Sequence, residues 1–246
     1  MGDPHYPVHN RRQREYFERT LKATMVPRDT PYIRRHVDEM LRRVAPRPGE
    51  RVLEVGCGMG RHALLMAARG IRLEGLELSP VLLDQFRMAN GGRYDIPLHC
   101  ADILHPPQHL EGQFDVVVGF FMLHHLPDLA AGMRAIASVL KPRGRAAFIE
   151  PNPINPFYYL QIIFTPNMRW REERGILQMR SAVMGLAMRQ AGLEPTPPER
   201  FGFFPPAVAN RAWGARLEAV LERQRILRPW LPFQVFAGTR AASGAS

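Results

Sequence analysis

The segment from Val52 to His62, VLEVGCGMGRH, constrains the fold more than any other part of this chain. Four residues suited to a buried strand lead into three glycines at alternate positions, and an apolar helical run follows. A strand, a glycine turn and a helix form the unit of nucleotide-binding crossovers, because glycine permits a tight turn and close approach of a ligand. Arg61 stands where the dinucleotide fingerprint has its third glycine, and Glu54 precedes the turn. A carboxylate there is unsuited to a pyrophosphate and favours a ligand with an ammonium group.

Strand and helix patterns alternate through the first 150 residues, which is the rhythm of a doubly wound α/β fold. Such a sheet is mostly parallel and holds its ligand in a crevice at the carboxyl ends of the strands. The predicted strands are Arg51–Val55, Arg72–Leu78, Pro97–Asp102, Phe114–Phe121 and Arg145–Glu150, and the predicted helices between them are Gly60–Gly70, Ser79–Asn90 and Pro127–Leu140.

The flanking regions have a different pattern. Two helices are predicted before the first strand, one over 10–24 and one from Pro31 to Val44. After Glu150 the rhythm breaks at a proline-rich segment, and we predict a helix over Ile176–Ala191, a strand over Pro195–Phe204, an amphipathic helix over 212–221 and a last strand over Phe233–Arg240. We therefore predict a single domain over 1–246, with an N-terminal helical cap (1–48), a core (49–150) and a carboxyl-terminal region of inserts and final strands (151–246).

The composition is that of a globular protein, with 46% hydrophobic residues and a net charge of +10. No run of 18 apolar residues and no early apolar segment is present in the sequence, and the two cysteines, Cys57 and Cys100, lie far apart. We expect a cytoplasmic protein with reduced thiols. The arginines are scattered in small groups, so they permit an anionic partner or a membrane surface without indicating one.

Five segments in order resemble the class I S-adenosylmethionine (SAM)-dependent methyltransferases. The glutamate-glycine turn reads E-x-G-x-G-x-G, as in motif I of that family, and Glu77 ends the next strand 21 residues after Gly56. CADI, FDVVVGFFMLHHLPD and LKPRGRAAFIE resemble later elements, although Arg143 replaces the first glycine of the family's L-K-P-G-G. The chain is identified as a member of the small-molecule branch, which includes methyltransferases of ubiquinone, menaquinone and natural-product synthesis.

The resemblance implies a Rossmann-like, doubly wound, seven-stranded, mostly parallel sheet with an antiparallel last strand. The N-terminal helices and the inserts after strands five and six would form a lid. SAM would be the cofactor and S-adenosylhomocysteine (SAH) the product. The implied cofactor-binding residues are Tyr16, Glu54, Gly56, Gly58, Gly60, Arg61, Glu77, Leu78, Asp102, Ile103 and Phe120. A purely structural role for Tyr16 is an open alternative.

The resemblance also implies a general base, because some related sugar methyltransferases use a histidine after strand four with an acid after strand five. Here the candidates are His124 or His125 with Glu150. The alternative is that both histidines are structural elements of their loop. No metal is expected, since His99, His105 and His109 lie across a strand end and a turn rather than on one helical face.

The expected methyl acceptor is a bulky, partly hydrophobic small molecule that is methylated on an O, N or C atom. Residues 151–246, which we call the acceptor side, are rich in aromatic residues, and aromatic walls suit such a molecule. Two alternatives are RNA methylation, suggested by the net charge, and a non-catalytic SAM-binding protein. Nucleic acid is not the expected partner, since no dedicated RNA-binding module is recognised. The segment Phe157–Phe164 suits peripheral membrane contact, and the oligomeric state, including a dimer, is left open.

Overall fold

A computed structural model describes residues 8, 11–15, 25–159 and 173–242 of the chain. Seven strands of the described ranges form one sheet in the order β3-β2-β1-β4-β5-β7-β6. The strands are β1 (Val52–Val55), β2 (Leu73–Glu77), β3 (Leu98–Cys100), β4 (Phe114–Phe120), β5 (Leu140–Pro151), β6 (Leu193–Phe201) and β7 (Phe233–Arg240).

The strand directions confirm the predicted fold class. β1 to β5 pair in parallel, and β7 runs antiparallel to both β5 and β6. β4 is buried along almost its whole length, as an apolar parallel strand covered on both faces requires. The strand order reverses between β1 and β4, so the ligand crevice of this fold class lies where those two strands end.

Helices cover both faces of the sheet and create two apolar layers. The helices between and after the strands include α1 (Pro31–Val44), α2 (Ala63–Ala67), α3 (Pro80–Asn90), α4 (Leu129–Val139), α5 (Ser181–Gln190), α6 (Pro206–Ala209) and α7 (Ala212–Glu222). α1, α2 and α3 contribute to one layer, and α4 and α5 contribute to the other. Side chains of Thr30, Ser79 and Asp128 accept hydrogen bonds from backbone N–H groups at the starts of α1, α3 and α4.

Several predicted bounds were wrong in detail. β5 begins at Leu140, not Arg145, because the residues expected to form a turn make an irregularity within the strand, with Arg143 at φ +62°. The helix after the glycine turn covers only Ala63–Ala67. β6 lies two to three residues earlier than predicted, whereas the last strand has the predicted bounds.

Two sequence-based predictions lie partly outside the described residues. Residues 11–15 are helical, as predicted, but the rest of the first helix, including Tyr16, is outside the described ranges. The same is true of 160–172, which contains most of the segment considered for membrane contact. Among the residues that the structure describes, no helix is both long and apolar enough to cross a membrane.

Candidate active site

The glycine turn after β1 is built by backbone conformations that favour glycine. Gly56, Gly58 and Gly60 have φ of +68°, +50° and +85°. A Cβ on Gly56 would lie 2.9 Å from Met122 Cβ, and one on Gly60 would lie 2.7 Å from the Phe86 ring. A Cβ on Gly58 would meet nothing within 4 Å. Gly56 and Gly60 therefore permit close internal packing, whereas Gly58 borders open space.

Glu77, at the end of β2, joins the neighbouring strand to this turn. Its Oε2 accepts a hydrogen bond from Gly58 N–H at 3.0 Å, and its Oε1 accepts one from Ser79 N–H at 3.0 Å. Loss of solvent raises the pKa of Glu77, although these backbone donors oppose the shift. Glu77, the residue predicted to hold a ribose, is thus fixed in position beside Gly58.

Glu54 is almost completely buried, with 1% of its surface exposed. Its Oε2 has no hydrogen-bond partner among the described residues, and its Oε1 lies 3.9 Å from His62 Nδ1. Burial, and then the charge of Glu77, raise the pKa of Glu54 well above its ordinary value. A buried carboxyl oxygen without a partner beside an open glycine turn fits a ligand that brings its own ammonium group. This observation fits the methionine half of SAM.

Phe120 ends β4 and stacks on His62, with ring centroids 4.0 Å apart and planes 12° apart. Burial lowers the pKa of His62 well below its ordinary value, and repulsion from Arg61 acts in the same direction, so the ring is neutral. Phe121 follows with φ +56°, a left-handed conformation that is strained for an aromatic residue. Strained backbone at a strand end is typical of functional sites.

Asp102 and Ile103 follow β3. Asp102 Oδ1 accepts a hydrogen bond from Leu104 N–H at 2.9 Å, and its Oδ2 lies 3.5 Å from His105 Nδ1. Ile103 is buried in the apolar layer that contains α4. Leu78 and Arg61 are half-buried, and burial lowers the pKa of Arg61. Their roles toward a cofactor stay predictions.

The residues predicted as a base and its acid form a buried network. Glu150 Oε1 accepts hydrogen bonds from the backbone N–H groups of Met122 and Leu123, and its Oε2 lies 2.5 Å from His124 Nδ1. His124 Nε2 lies 3.3 Å from Glu173 Oε2, which also accepts a hydrogen bond from the hydroxyl of Tyr158 at 3.0 Å. Sequence analysis missed Glu173 and its pairing with Tyr158, because no local pattern reveals pairing across an insert.

The electrostatics of this network favour a charged histidine. Burial alone would lower the pKa of His124, but the carboxylates of Glu150 and Glu173 outweigh it and raise the pKa to about 9. At neutral pH both ring nitrogens then carry protons directed at carboxylates. His125 is half-buried, with its ring centroid 4.0 Å from that of His124. The catalytic assignment of His124, His125 and Glu150 stays a prediction.

Two side chains of the loop after β4 and one from the segment after β5 also lie close enough together to hold a metal ion. His124, His125 and Glu173 each offer a ligand atom, and these atoms lie within 4.8 Å of one another. Sequence analysis considered a different set of histidines and missed this grouping. The contact of His124 Nδ1 with Glu150 accounts for the orientation of its ring without a metal.

Comparison with known proteins identifies the family. The profile of the family described as "Methyltransferase domain" matches residues 28–197. This chain belongs to that family. The predicted resemblance to class I SAM-dependent methyltransferases is therefore confirmed, and SAM is the cofactor that this family membership supports.

Relatives with similar sequences include ubiquinone biosynthesis O-methyltransferases. The one from Ralstonia nicotianae is 33% identical over 165 residues, which cover 64% of this chain and 68% of the relative. The one from Marinobacter nauticus is 31% identical over 159 residues, covering 59% of this chain and 64% of the relative. The chain thus spans only about two thirds of the length of these relatives.

Solved structures with this fold are more distant in sequence. Phosphoethanolamine N-methyltransferase 2 from Haemonchus contortus, solved with SAM, has a TM-score of 0.65 and 15% identity, covering 93% of this chain and 60% of that protein. The [4+2]-cyclase SpnF has a TM-score of 0.60 and 18% identity, covering 85% and 81%. These similarities show the fold, and the cyclase illustrates that the fold alone does not determine the reaction.

Proposed function

We propose that this chain transfers the methyl group of SAM to an O, N or C atom of a bulky, partly hydrophobic small molecule. The observation that carries the proposal is the buried, unpartnered Oε2 of Glu54 beside the open Gly58 and the fixed carboxylate of Glu77. The ubiquinone biosynthesis relatives support a hydrophobic acceptor and oxygen as the methylated atom. A cytoplasmic location, and a small molecule rather than nucleic acid as partner, stay predictions.

Each end of the cofactor has residues suited to it. Glu54 would pair with the ammonium group, and Glu77 would accept hydrogen bonds from the ribose hydroxyls. The remaining predicted contacts are Gly56, Gly58 and Gly60 beneath the methionine half, Arg61 and Tyr16 at its carboxylate, Leu78 beside the ribose, Asp102 and Ile103 at the adenine, and Phe120 near the sulfonium.

The cofactor supplies a methyl group already activated by a sulfonium sulfur. The chain then has to align the acceptor and exclude water, and such alignment contributes about 7–11 kcal/mol to lowering a barrier. Phe120, held by its stack on His62, provides an apolar wall at the end of β4. An acceptor that carries a hydroxyl group also requires a group to accept its proton.

His124 and Glu150 also have a structural role at this site. The two backbone N–H groups bound by Glu150 belong to the segment that follows β4 and packs against the glycine turn through Met122. We therefore assign Glu150 and His124 as positioning residues that fix this segment. A direct catalytic role remains the alternative that the sequence predicts.

The decisive experiment is isothermal titration calorimetry of the full chain with SAM and with SAH. We expect both to bind, and we expect Glu77→Gln to weaken both, since the ribose loses a charged acceptor. Glu111→Gln, an exposed substitution, is the matched control. Failure of the unaltered chain to bind either compound would overturn the proposal.

Transfer is tested with methyl-labelled SAM and a small-molecule extract. Label is expected in the fraction soluble in organic solvent. Label found only in RNA would favour the alternative that the net charge suggests, and cofactor binding without transfer of label to any acceptor would indicate a non-catalytic SAM-binding protein.

A further inference from the structure

The outward face of α7 carries an apolar stripe. Trp213, Leu217 and Val220 follow one another at intervals of four and three residues, so they lie in one row along the helix. All three are exposed, and Trp213 has 60% of its surface in solvent. The amphipathic pattern predicted over 212–221 is present, but this row of apolar side chains points away from the protein. A contiguous apolar row in solvent indicates a surface that another molecule covers.

The acidic side chains of α7 point the opposite way. Glu218 is buried and accepts hydrogen bonds from the backbone N–H groups of Phe203 and Phe204 at 2.9 and 2.8 Å. Glu222 pairs with Arg35 of α1 at 2.7 Å. The helix is therefore held on the protein largely by its charged side chains, which inverts the usual arrangement of a surface helix.

Arginines surround the apolar stripe. Arg216 and Arg223 are three or four residues from members of the stripe, so they lie next to it on the helix. Glu218 and Glu222 are the only acidic residues between 211 and 230, and both are directed inward. Five arginines of this segment are exposed, and none of them forms a salt bridge with a residue that the structure describes: Arg211, Arg216, Arg223, Arg225 and Arg228.

Further exposed apolar side chains lie at the same edge of the sheet, where β5 and β6 end and β7 begins. Ile226 and Trp230, between α7 and β7, are 81% and 51% exposed, and Phe157, which follows β5, is 67% exposed. Asn155 joins these two segments by donating a hydrogen bond to the carbonyl oxygen of Trp230. The carboxyl ends of parallel strands are also where the ligand crevice of this fold opens.

The charge of this surface decides what can cover it. A second copy of the chain would bring the same arginines against it, and the chain has a net charge of +10. A nucleic acid would bind the arginines but would leave Leu217, Val220 and Ile226 without an apolar partner. The surface of an anionic bilayer satisfies both sets, because it offers phosphate groups above an acyl layer and its headgroup level favours tryptophan.

We propose that the surface formed by α7, residues 223–230 and Phe157 docks on a membrane that contains anionic phospholipids. The stripe of Trp213, Leu217 and Val220 would enter the boundary between headgroups and acyl chains, and the arginines would bind lipid phosphates. Docking would place the crevice edge of the sheet at the membrane, where hydrophobic molecules concentrate. This consequence for the acceptor rests on the proposed function, whereas docking itself does not.

The test is cosedimentation of the full chain with vesicles, without SAM. We expect binding to vesicles in which about a third of the lipid is phosphatidylglycerol, and at least about tenfold weaker binding to phosphatidylcholine alone. Arg216→Gln with Arg223→Gln should weaken binding to the anionic vesicles about 25-fold, since each arginine near such a surface contributes about fivefold. Arg47→Gln with Arg72→Gln is the matched control, because these exposed arginines precede β1 and β2, at the opposite edge of the sheet.

Insertion of the apolar stripe is tested separately. The chain has three tryptophans, so Trp170→Phe with Trp230→Phe leaves Trp213 as the only one. In that variant we expect brominated acyl chains to quench the fluorescence of Trp213, which contact with headgroups alone would not do. Trp213→Gln with Leu217→Gln should weaken vesicle binding about tenfold. Met88→Gln, at an exposed apolar residue of α3, is the control.

Absence of binding to the anionic vesicles, equal binding to both kinds of vesicle, or equal losses in the two arginine double variants would overturn the proposal. Tighter binding of a tRNA than of the vesicles, with Trp213 unquenched, would instead assign the surface to nucleic acid. A dimer that Trp213→Gln with Leu217→Gln dissociates would assign it to a second copy. The vesicle comparison in the unaltered chain requires no substitution, and calorimetry with SAM and SAH requires no vesicles, so failure of docking and failure of the proposed function are distinguishable.

Discussion

At the scale of single residues, Glu54 combines a stability cost with a binding role. Its pKa is raised in the folded chain, so its ionisation favours the unfolded state, and stability should fall as pH rises above the ordinary value of 4.5. We expect Glu54→Gln to remove this fall, as measured by urea unfolding across pH. The same substitution should weaken SAM binding about 10- to 100-fold, because a charged partner of the ammonium is lost. Unchanged affinity in Glu54→Gln, compared with Glu111→Gln, would contradict the assignment.

His124 should show a pH dependence of the same sign, with stability lost as the pH rises through a range that begins at 6.5. Its pKa is raised from 6.5 to about 9, so the folded chain binds the proton more tightly than the unfolded chain does. The stabilisation is fully present below pH 6.5 and is lost as pH rises toward about 9. We expect His124→Gln to lose this dependence and about 3–5 kcal/mol of stability, since buried carboxylates lose their charged partner. His109→Gln is the control, and an unaltered pH profile in His124→Gln would rule out the buried ion pair.

At the scale of elements, the irregularity within β5 places Arg143 at a position where the resembling motif has glycine. Arg143 occupies a left-handed conformation at φ +62°, where its Cβ is unfavourable. We expect Arg143→Gly to stabilise the chain by about 1 kcal/mol in urea unfolding. Gly144→Ala should have the opposite effect, because its Cβ would lie 2.8 Å from the carbonyl oxygen of Lys141. Destabilisation by Arg143→Gly would show that the side chain contributes more than the strain costs.

Elements with a strong periodic signal were predicted well, whereas the roles of the site residues stay predictions. The largely apolar run of β7 and the capped apolar stripe of α1 specify their bounds locally. Glu77 contacts the glycine turn, as its position 21 residues after Gly56 in the sequence predicts. The pairing of His124 with Glu173, and the placing of His36 among aromatic rings from β6 and β7, depend on contacts between segments far apart in sequence. Only the assembled sheet brings these together.

At the scale of the whole molecule, the sheet joins the core to the acceptor side. β7 pairs with β5 over seven residues, from Arg145 to Pro151, and carries β6 on its other edge. α1 packs beneath the same strands, and Arg145 donates to the carbonyl of Val44 at its end. A chain joined in this way is expected to unfold as one unit, as the single-domain prediction requires.

Ligand binding tests directly whether the chain unfolds as one cooperative unit. SAH at a hundred times its Kd should raise the free energy of global opening by about 2.7 kcal/mol. Native-state hydrogen exchange should report this increase for amides of β1 and β4, which flank the proposed cofactor site, and equally for amides of β7, which do not. Glu54→Gln should reduce both increases together at the same SAH concentration. Greater protection confined to β1 and β4 would instead mean that the acceptor side opens independently of the core.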